Sequence, residues 1–267
     1  MMLCGKSITE KELRKLNPDE WLYSLKMDGV RAMLHLNEKS TILFNRNKVN
    51  ITDKYPELKS IIVSLFRCVL DGEIVILKNN SYECDFNAIL SRENLSDRFK
   101  INLLSKQNPV VFFCFDAVVL NGRDISNFPL IKRKDLIRKY LERYENESFK
   151  ILPYFNKLEI ALDVMKHNNS EGLVLKKKDS KYLFNVRSNN WLKFKKRTEQ
   201  IIQFDKFEEN PDDSITLCSD IHNHRVKCCQ LEAKNLIDKF GFVNAEVEGL
   251  EITTDNKIRF PILKRLI

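Results

Sequence analysis

The net charge of this chain changes sign near residue 199, and this change indicates a fold of two domains of unequal size. Positions 1–200 contain 36 of the 45 Lys and Arg residues and 25 of the 37 Asp and Glu residues. Positions 201–267 contain the other 9 basic and 12 acidic residues. A shift of composition of this kind indicates a boundary between domains. The sequence therefore predicts a basic first domain over residues 1–198 and a smaller second domain over residues 199–267.

Segments of period two alternate with segments of helical period along the first domain, which predicts an α+β fold. Strands are expected over 110–120, 171–178 and 191–196. Residues 21–49 are expected to form two strands joined at Gly29, and residues 69–77 a strand pair or one bent strand. Helices are expected from Pro56 to Phe66, over 137–144 and over 158–165. In the second domain, strands that include 243–252 and 257–263, with one helix over 233–240, fit a small β-barrel of the OB type.

The apolar runs of the chain are short. The longest, Val110–Phe115, is far below the roughly 18–20 residues that span a membrane, and the charged N-terminal segment does not resemble a secretion signal. Seven Cys residues, an odd number without a repeated spacing, predict reduced thiols. These features together predict a cytoplasmic protein, or a nuclear one in a eukaryote.

One group of metal-binding residue types lies in the second domain: Cys218, His222, His224, Cys228 and Cys229. Zinc ligands usually come in pairs with the spacing C-x₂₋₄-C. Here the last two cysteines are adjacent, so they point to opposite faces of any strand. Both interpretations stay open, and buried strand cysteines are favoured over a zinc site.

A lysine motif, Lys26-Met-Asp28-Gly29-Val-Arg31, carries the most chemistry. A free lysine amine has a pKa of about 10.4 and is protonated, so it becomes a nucleophile only where cations or a metal lower that pKa. Gly29 permits a tight turn, and Arg31 can face a phosphate bound beside the lysine. A chance turn is the alternative, because four fixed positions in six are a weak signal.

Further segments follow the lysine motif in a fixed order. They are Asn45-Arg46-Asn47, Leu70-Asp71-Gly72-Glu73, Phe112–Asp116, Glu171–Lys176, Trp191-Leu-Lys193-Phe-Lys195 and Arg259–Arg265. In order and spacing, the set resembles the covalent nucleotidyltransferases, and specifically the ATP-dependent DNA ligases, over about residues 20–265. The resemblance implies a nucleotidyltransferase domain of antiparallel sheets and helices, similar to the ATP-grasp fold, followed by an OB-fold barrel. It also implies ATP, Mg²⁺ (or Mn²⁺) and nicked duplex DNA as ligands of a monomer.

The resemblance implies a role for each motif residue. Lys26 would attack the α-phosphate of ATP, and the AMP would pass to the 5′-phosphate of a nick before the 3′-OH displaces it. The catalytic residues would be Lys26, Asp28, Arg31, Lys193 and Lys195. The nucleotide would be bound by Ser24, Leu25, Lys26, Arg31, Arg46, Glu73, Phe115, Lys193, Lys195, Arg259 and Lys264. Glu73 and Glu171 would hold the metal, and Arg46 and Arg187 would contact DNA.

The electrostatics of this arrangement lead to one more expectation. The positive charges of Arg31, Arg46, Lys193 and Lys195 are expected to surround the phosphates and to lower the pKa of Lys26. The structural alternative is that these lysines form a solvated strand face. Likewise, Phe115, expected to stack on adenine, could be a core residue, and Asp28 and Glu73 could only organise their turns.

Two departures from the family pattern bear on function. Ser24 occupies the position two before the lysine, where many DNA ligases have a Glu that reads the adenine amino group. The chain leaves no room for a large N-terminal DNA-binding domain, which predicts a minimal two-domain enzyme. An RNA ligase, an mRNA-capping guanylyltransferase and a catalytically silent nucleic-acid-binding relative remain as alternatives.

Overall fold

The computed structural model describes residues 1–61, 63–78, 81–220, 224–228, 231–249, 258 and 260–267. The chain divides into two compact units, Met1–Phe194 and Lys195–Ile267. This division lies close to the change of charge near residue 199. Each unit has its own apolar core.

The first unit contains most of the secondary structure. Its strands are β1 (Leu3–Cys4), β2 (Ser7–Ile8), β3 (Trp21–Leu25), β4 (Val30–Leu36), β5 (Thr41–Asn45), β6 (Cys68–Val75), β7 (Val111–Leu120), β8 (Arg123–Asp124), β9 (Phe149–Ile151), β10 (Gly172–Lys177), β11 (Arg187–Ser188) and β12 (Trp191–Lys195). Its α-helices are α1 (Glu10–Leu13), α2 (Phe86–Glu93), α3 (Arg98–Gln107), α4 (Leu130–Leu141) and α5 (Leu158–His167). Short 3₁₀ helices cover Pro18–Glu20, Thr52–Lys54, Pro56–Ser60 and Glu142–Tyr144. Within the described ranges, no helix is long and apolar enough to cross a membrane.

Two sheets of the first unit share one apolar core. The larger sheet has the strand order β5-β4-β6-β7-β8, with β9 paired in parallel to β7, and the smaller sheet has the order β2-β12-β10-β3. Val75 and Phe113 of the larger sheet belong to the same core as Leu25 and Leu173 of the smaller sheet. Several motif residues, among them Lys26, Glu73 and Phe115, line a cavity between these sheets.

Strand β7 shows why the segment 110–120 is apolar throughout. Successive side chains of a strand point to opposite faces, and here both faces are buried: Phe113 lies in the core between the sheets and Phe112 in a second core that includes Ile137 of α4. The strand prediction is therefore confirmed. The turn that follows is Asn121–Gly122, with φ of 48° and 79°, and it leads into the antiparallel β8. Positive φ at both central positions suits the twist of a two-residue hairpin.

The region around Gly29 contains more strands than expected. Residues 21–49 form three strands, β3, β4 and β5, rather than two. The loop from β3 to β4 passes so close to β6 that a Cβ at Gly29 would lie 2.1 Å from the carbonyl oxygen of Ile74. Glycine is needed there because the backbone of β6 leaves no space for a side chain.

The predicted helix from Pro56 to Phe66 was wrong. Only Pro56–Ser60 is helical, as a 3₁₀ helix, and the chain continues with extended backbone at Ile61 (Ile62 lies outside the described residues). Ile61, Val63 and Leu65 are buried while Phe66 is exposed, so the apolar positions follow a period of two. The backbone N–H of Phe66 donates to the Asn121 side chain (3.1 Å) instead of to a helical carbonyl.

A fully buried ion pair ties α4 to β7. Arg133 donates to both carboxylate oxygens of Asp116 at 2.8 Å, and both side chains are 0% exposed. Burial alone would raise the pKa of Asp116, but the hydrogen bonds and charge of Arg133 outweigh it, so this pKa is lowered. The pair fixes the helix against the strand that carries Phe115.

Replacing Asp116 by asparagine is expected to lower the free energy of unfolding by about 3–5 kcal/mol, because it leaves the Arg133 guanidinium buried without a counter-charge. Urea denaturation followed by circular dichroism measures this change. Asp53→Asn, which breaks the exposed pair with Lys59, is the control and should change stability little. A loss for Asp116→Asn no larger than for the control would contradict the role of the buried pair.

In its described residues, the second unit contains two three-stranded sheets and one helix. Its strands are β13 (Thr198–Phe204), β14 (Lys206–Glu209), β15 (Ile215–Ser219), β16 (His224–Cys228), β17 (Val243–Gly249) and β18 (Ile262–Leu266), and its helix is α6 (Leu231–Phe240). The sheet orders are β13-β17-β18 and β14-β15-β16. Over the part of the chain that the structure describes, these strands do not close into a barrel.

The described members of the cysteine and histidine group, Cys218, His224 and Cys228, lie on β15 and β16. The buried His224 accepts a hydrogen bond from the backbone N–H of Ile258 at its Nε2 atom (2.9 Å). Cys218 and Cys228 are buried cysteines, whereas His222 and Cys229 lie outside the described residues. Among the positions described, no group of three His, Cys, Asp or Glu side chains could hold a metal.

Candidate active site

A cavity of about 160 Å³ lies between the two sheets of the first unit. Its lining includes Ser24, Leu25, Lys26, Arg31, Glu73 and Phe115, which the sequence analysis assigned to the nucleotide, together with Cys4, Met27, Leu152, Val174, Lys176 and Trp191. Ligand pockets for whole small molecules measure roughly 300–1,000 Å³. This cavity therefore matches one ring system, such as a purine, more closely than a whole nucleoside triphosphate.

Lys26 directly follows β3 and is fixed to the start of β10. Its backbone N–H donates to the carbonyl of Gly172 (2.9 Å), and its Nζ donates to Oε2 of Glu171. Burial lowers the pKa of Lys26, but the charges of Glu171, Asp28 and Glu73 outweigh that effect, so the pKa is raised. The expectation that neighbouring cations lower this pKa was wrong, because carboxylates are the charged groups that act on the amine.

The carboxylates around Lys26 are candidate ligands for a hard cation, although they are not among any group of three His, Cys, Asp or Glu side chains placed to hold a metal in the described part of the chain. Burial raises the pKa of Glu73 to about 8, although the charges of Lys26 and Arg31 oppose this shift, and the Glu171 side chain is only 6% exposed. Mg²⁺ is usually bound by one or two protein carboxylates, with water and substrate phosphates as its other ligands. Glu73 and Glu171 fit that pattern, and Asp28 adds negative charge beside them.

If Glu73 is a metal ligand, its raised pKa predicts a metal affinity that depends on pH. Below pH 8 this carboxyl is protonated, and a metal must displace the proton. We expect the Mn²⁺ affinity, measured by electron paramagnetic resonance, to rise between pH 6 and 8 by up to about tenfold per unit and to level off above pH 8. In Glu73→Gln the affinity should be lower and this rise should disappear, whereas Glu83→Gln, which alters a surface pair with Lys78, should behave as the wild type. An unchanged rise in Glu73→Gln would contradict the assignment.

Aromatic rings form the apolar part of the cavity. Phe115 and Trp191 meet edge to face with ring centroids 6.1 Å apart. Phe112 and Phe113 are 0% exposed, but Phe115 is only partly buried and lines the cavity. This position favours a stacking surface over a core residue.

Lys176, which the sequence analysis did not assign to the site, lies against both rings. Its Nζ is 4.2 Å from the ring centroid of Phe115 and 3.7 Å from that of Trp191, and it donates to the Phe115 carbonyl (3.3 Å). The residue is 4% exposed, and burial lowers its pKa to about 7. A cation this close to two ring faces is attracted by them, and its remaining N–H groups can reach an acceptor on a bound base. The sequence signal was a lysine at the end of the apolar run Leu173–Leu175, within the segment Glu171–Lys176.

Arg31 is held rigidly in the cavity wall. It donates to both carboxylate oxygens of Asp71 (3.0 and 2.6 Å), and Asp71 also accepts from the hydroxyl of Tyr182 (2.6 Å). The guanidinium carbon lies 5.3 Å from the ring centroid of Phe115. Asp71 and Tyr182 position Arg31 and were not recognised from the sequence.

Three further residues that the sequence assigned to the nucleotide lie on the strands around the cavity or at the start of the second unit. Ser24 Oγ donates across the sheet to the Val174 carbonyl (3.4 Å). Lys193 is partly buried and shares a strand face with Trp191, since the two are two residues apart on β12. Lys195 is the first residue of the second unit, and its Nζ lies 5.9 Å from the ring of Phe260.

The predicted basic contacts with DNA and pyrophosphate lie on exposed segments. Arg46 lies in the turn after β5, and Arg187 donates to the Cys4 carbonyl (2.8 Å). Lys264 forms an ion pair with Glu248, which also pairs with Arg197. Arg259 lies outside the described residues, so its assignment to the pyrophosphate stays a prediction.

Comparison with known protein families shows which family this chain belongs to. The family model described as the ATP dependent DNA ligase domain matches residues 1–195. The chain belongs to the ATP-dependent DNA ligase family. The match covers the whole first unit, and therefore all the residues that line the cavity of about 160 Å³ described above.

Individual relatives agree with this assignment. The SPbeta prophage-derived DNA ligase-like protein LigB of Bacillus subtilis is 31% identical over 186 residues, covering 66% of this chain and 62% of LigB. The bifunctional non-homologous end joining protein LigD of the same organism is 28% identical over 207 residues, covering 72% of this chain and 34% of LigD. The chain thus matches between about a third and three-fifths of the length of these relatives.

Solved structures show the fold. A solved structure of Lig E DNA ligases superposes on this chain with a TM-score of 0.68 at 18% sequence identity. The superposition covers 100% of this chain and 98% of the Lig E chain. The ligase domain of LigD from M. tuberculosis has a TM-score of 0.64 at 19% identity, covering 100% and 94%. The chain therefore has the mixed α/β ligase fold of sheets and helices.

Proposed function

We propose that this protein is a DNA ligase that seals 3′-OH/5′-phosphate nicks in duplex DNA at the expense of ATP. The observation that carries the proposal is the position of Lys26, whose amine contacts a buried carboxylate at the edge of an aromatic-lined cavity of purine size. The names of the relatives, which include LigD, LigB and several DNA ligases, support DNA as the substrate.

In the first proposed step, Lys26 Nζ attacks the α-phosphorus of ATP. The new N–P bond replaces the bond to the β-phosphate oxygen, and pyrophosphate leaves. The amine must lose a proton, and Glu171 Oε2 already accepts a hydrogen bond from it. A Mg²⁺ ion held by Glu171 and Glu73 would neutralise these carboxylates and the triphosphate, and so favour the unprotonated amine. Arg31 is fixed by Asp71 with its guanidinium beside the adenosine cavity.

In the later steps, a 5′-phosphate oxygen of the nick attacks the AMP phosphorus and releases Lys26, which regains its proton. The 3′-OH then attacks the 5′-phosphorus, forms the phosphodiester and expels AMP. Lys193 and Lys195 are proposed to contribute positive charge to the phosphates in these reactions. The two sheets and one helix that the described residues of the second unit form around an apolar core support an OB-type domain that adds contacts to DNA.

DNA binding is proposed to depend on the positive charge of residues 1–200, which contain 36 basic and 25 acidic side chains. We expect the logarithm of the affinity for nicked duplex to fall linearly with the logarithm of salt concentration, with a slope of about −0.9 per neutralised phosphate. Six contacts would reduce affinity by about 10³-fold between 50 and 200 mM salt. Arg46→Gln and Arg187→Gln should each reduce the slope by about one, as fluorescence anisotropy can measure. An affinity that does not depend on salt would contradict this interface.

One experiment separates the proposed function from its alternatives. The protein is incubated with Mg²⁺ and either α-labelled ATP or α-labelled GTP, and then with nicked DNA, nicked RNA and hybrid duplexes. A DNA ligase takes AMP onto the protein and joins nicked DNA. A guanylyltransferase takes GMP, an RNA ligase joins RNA in preference, and a silent relative takes no label.

A further inference from the structure

A second cavity of the first unit, of about 280 Å³, lies beside the nucleotide cavity, and Leu152 lines both. Three basic side chains line the second cavity, Lys134, Arg138 and Lys150, together with two acidic ones, Glu142 and Glu145. None of these residues belongs to the motifs of the active site. The arrangement of their charges points to a separate ligand.

Lys134 is the buried basic group of this cavity. It is 4% exposed, and within the described ranges its amine makes no hydrogen bond or ion pair with the protein. Its Nζ lies 5.4 Å from the ring centroid of Tyr154. The nearby Asp116 is already bonded twice by Arg133. Burying a charged amine without a hydrogen-bonded counter-charge costs free energy, and burial accordingly lowers the pKa of Lys134.

Arg138 brings a second cation to the same place. It follows Lys134 by one turn of α4, and its guanidinium carbon lies 5.8 Å from the same Tyr154 ring. Like charges one turn apart on a helix repel each other. The two carboxylates do not neutralise this pair: both belong to exposed residues, and Glu145 Oε1 accepts from the backbone N–H of Ile151 (2.7 Å).

We propose that this second cavity binds a phosphate group, held by Lys134 from the interior and by Arg138 from the opening. An ammonium and a guanidinium that converge on one cavity are the donors that phosphate oxygens require. A bound phosphate would add a hydrogen-bonded counter-charge to Lys134, beyond the charge of Asp116 that Arg133 already shares, and relieve its repulsion with Arg138. The cavity volume of about 280 Å³ leaves room for free phosphate, pyrophosphate or a small phosphate monoester. The proposal does not depend on the ligase reaction.

Equilibrium dialysis of the full chain with labelled inorganic phosphate, pyrophosphate and ribose 5-phosphate, at constant ionic strength in sodium chloride, tests this site. We expect saturable binding of at least one of the three, and the one that binds tightest identifies the source of the phosphate group. Arg138→Gln and Lys134→Met should each weaken that binding at least tenfold. Lys132→Gln removes an exposed positive charge from the same helix and should leave binding unchanged.

Thermal denaturation gives a second readout. Lys134→Met should melt at the same temperature as the wild type in chloride or at a higher one, because it removes an unpaired buried amine, and phosphate should no longer raise its melting temperature. Arg138 is exposed, so Arg138→Gln keeps the test valid if Lys134→Met does not fold. Absence of binding by the wild type, or equal binding by the wild type, Arg138→Gln and Lys132→Gln, would overturn the proposal.

Discussion

Lys26→Arg is expected to abolish labelling of the protein by α-labelled ATP, with a loss of at least about 10³-fold, the scale on which removal of a nucleophile acts. Arginine preserves the positive charge that pairs with Glu171, so the fold and the electrostatics of the site should be retained. The guanidinium stays protonated throughout the working pH range, and therefore cannot attack the α-phosphorus. Single-turnover labelling followed on a denaturing gel measures the effect.

The matched control for this substitution is Lys177→Arg. Lys177 lies on β10 and also pairs with a glutamate, Glu20 (3.4 Å), but it does not line the nucleotide cavity described above. It should label as the wild type does. Lys26→Arg should still join nicks that already carry a 5′-AMP, because that step does not require the lysine adduct. Labelling of Lys26→Arg at the wild-type rate would rule out Lys26 as the nucleophile.

Several residues that the sequence singled out line one cavity, among them Lys26, Glu73 and Phe115, and their assignment to a nucleotide stays a prediction. Lys26 follows β3, Phe115 lies within β7, and each belongs to a motif whose residue types are tied to chemistry. Asp71 belongs to the segment Leu70-Asp71-Gly72-Glu73 but was given no role, and Tyr182 was missed, because the two hold Arg31 from positions that are 111 residues apart in the chain. A positioning contact of this kind depends on the tertiary fold and leaves no spacing pattern in the sequence.

The errors in secondary structure have a similar cause. The segment after Pro56 has apolar residues at helical spacing, but Ile61, Val63 and Leu65 are all buried with a period of two. The buried neighbours of the segment, and the remote Asn121 side chain, override the local preference. Helices α2 and α3 were also not predicted, although Asp85 and Asp97 cap their first turns, a signal that the sequence did offer.

The charge of Glu171 raises the pKa of Lys26, and replacing Glu171 is the second substitution for which we expect a large effect. Glu171→Gln removes the carboxylate that accepts the Lys26 hydrogen bond and that we propose as a metal ligand. We expect single-turnover labelling to fall at least about 100-fold, a scale typical of losing one preorganised electrostatic contact. The dependence on Mg²⁺ should shift to higher concentrations. Glu20→Gln, which removes the carboxylate paired with Lys177, is the matched control and should label normally.

The pH profile of Glu171→Gln separates metal binding from positioning. The Glu171 charge raises the pKa of Lys26, whereas burial lowers it, so without that charge the pKa falls and more of the amine is unprotonated at neutral pH. If Glu171 acted only by keeping Lys26 protonated, the variant would label as fast as the wild type or faster at pH 7. If the carboxylate holds the metal, labelling of the variant stays low at every pH, although more of the Lys26 amine is unprotonated. The pH at which this residual labelling is fastest then lies below the corresponding pH of the wild type. Wild-type labelling by Glu171→Gln at ordinary Mg²⁺ concentration would therefore exclude Glu171 as a metal ligand.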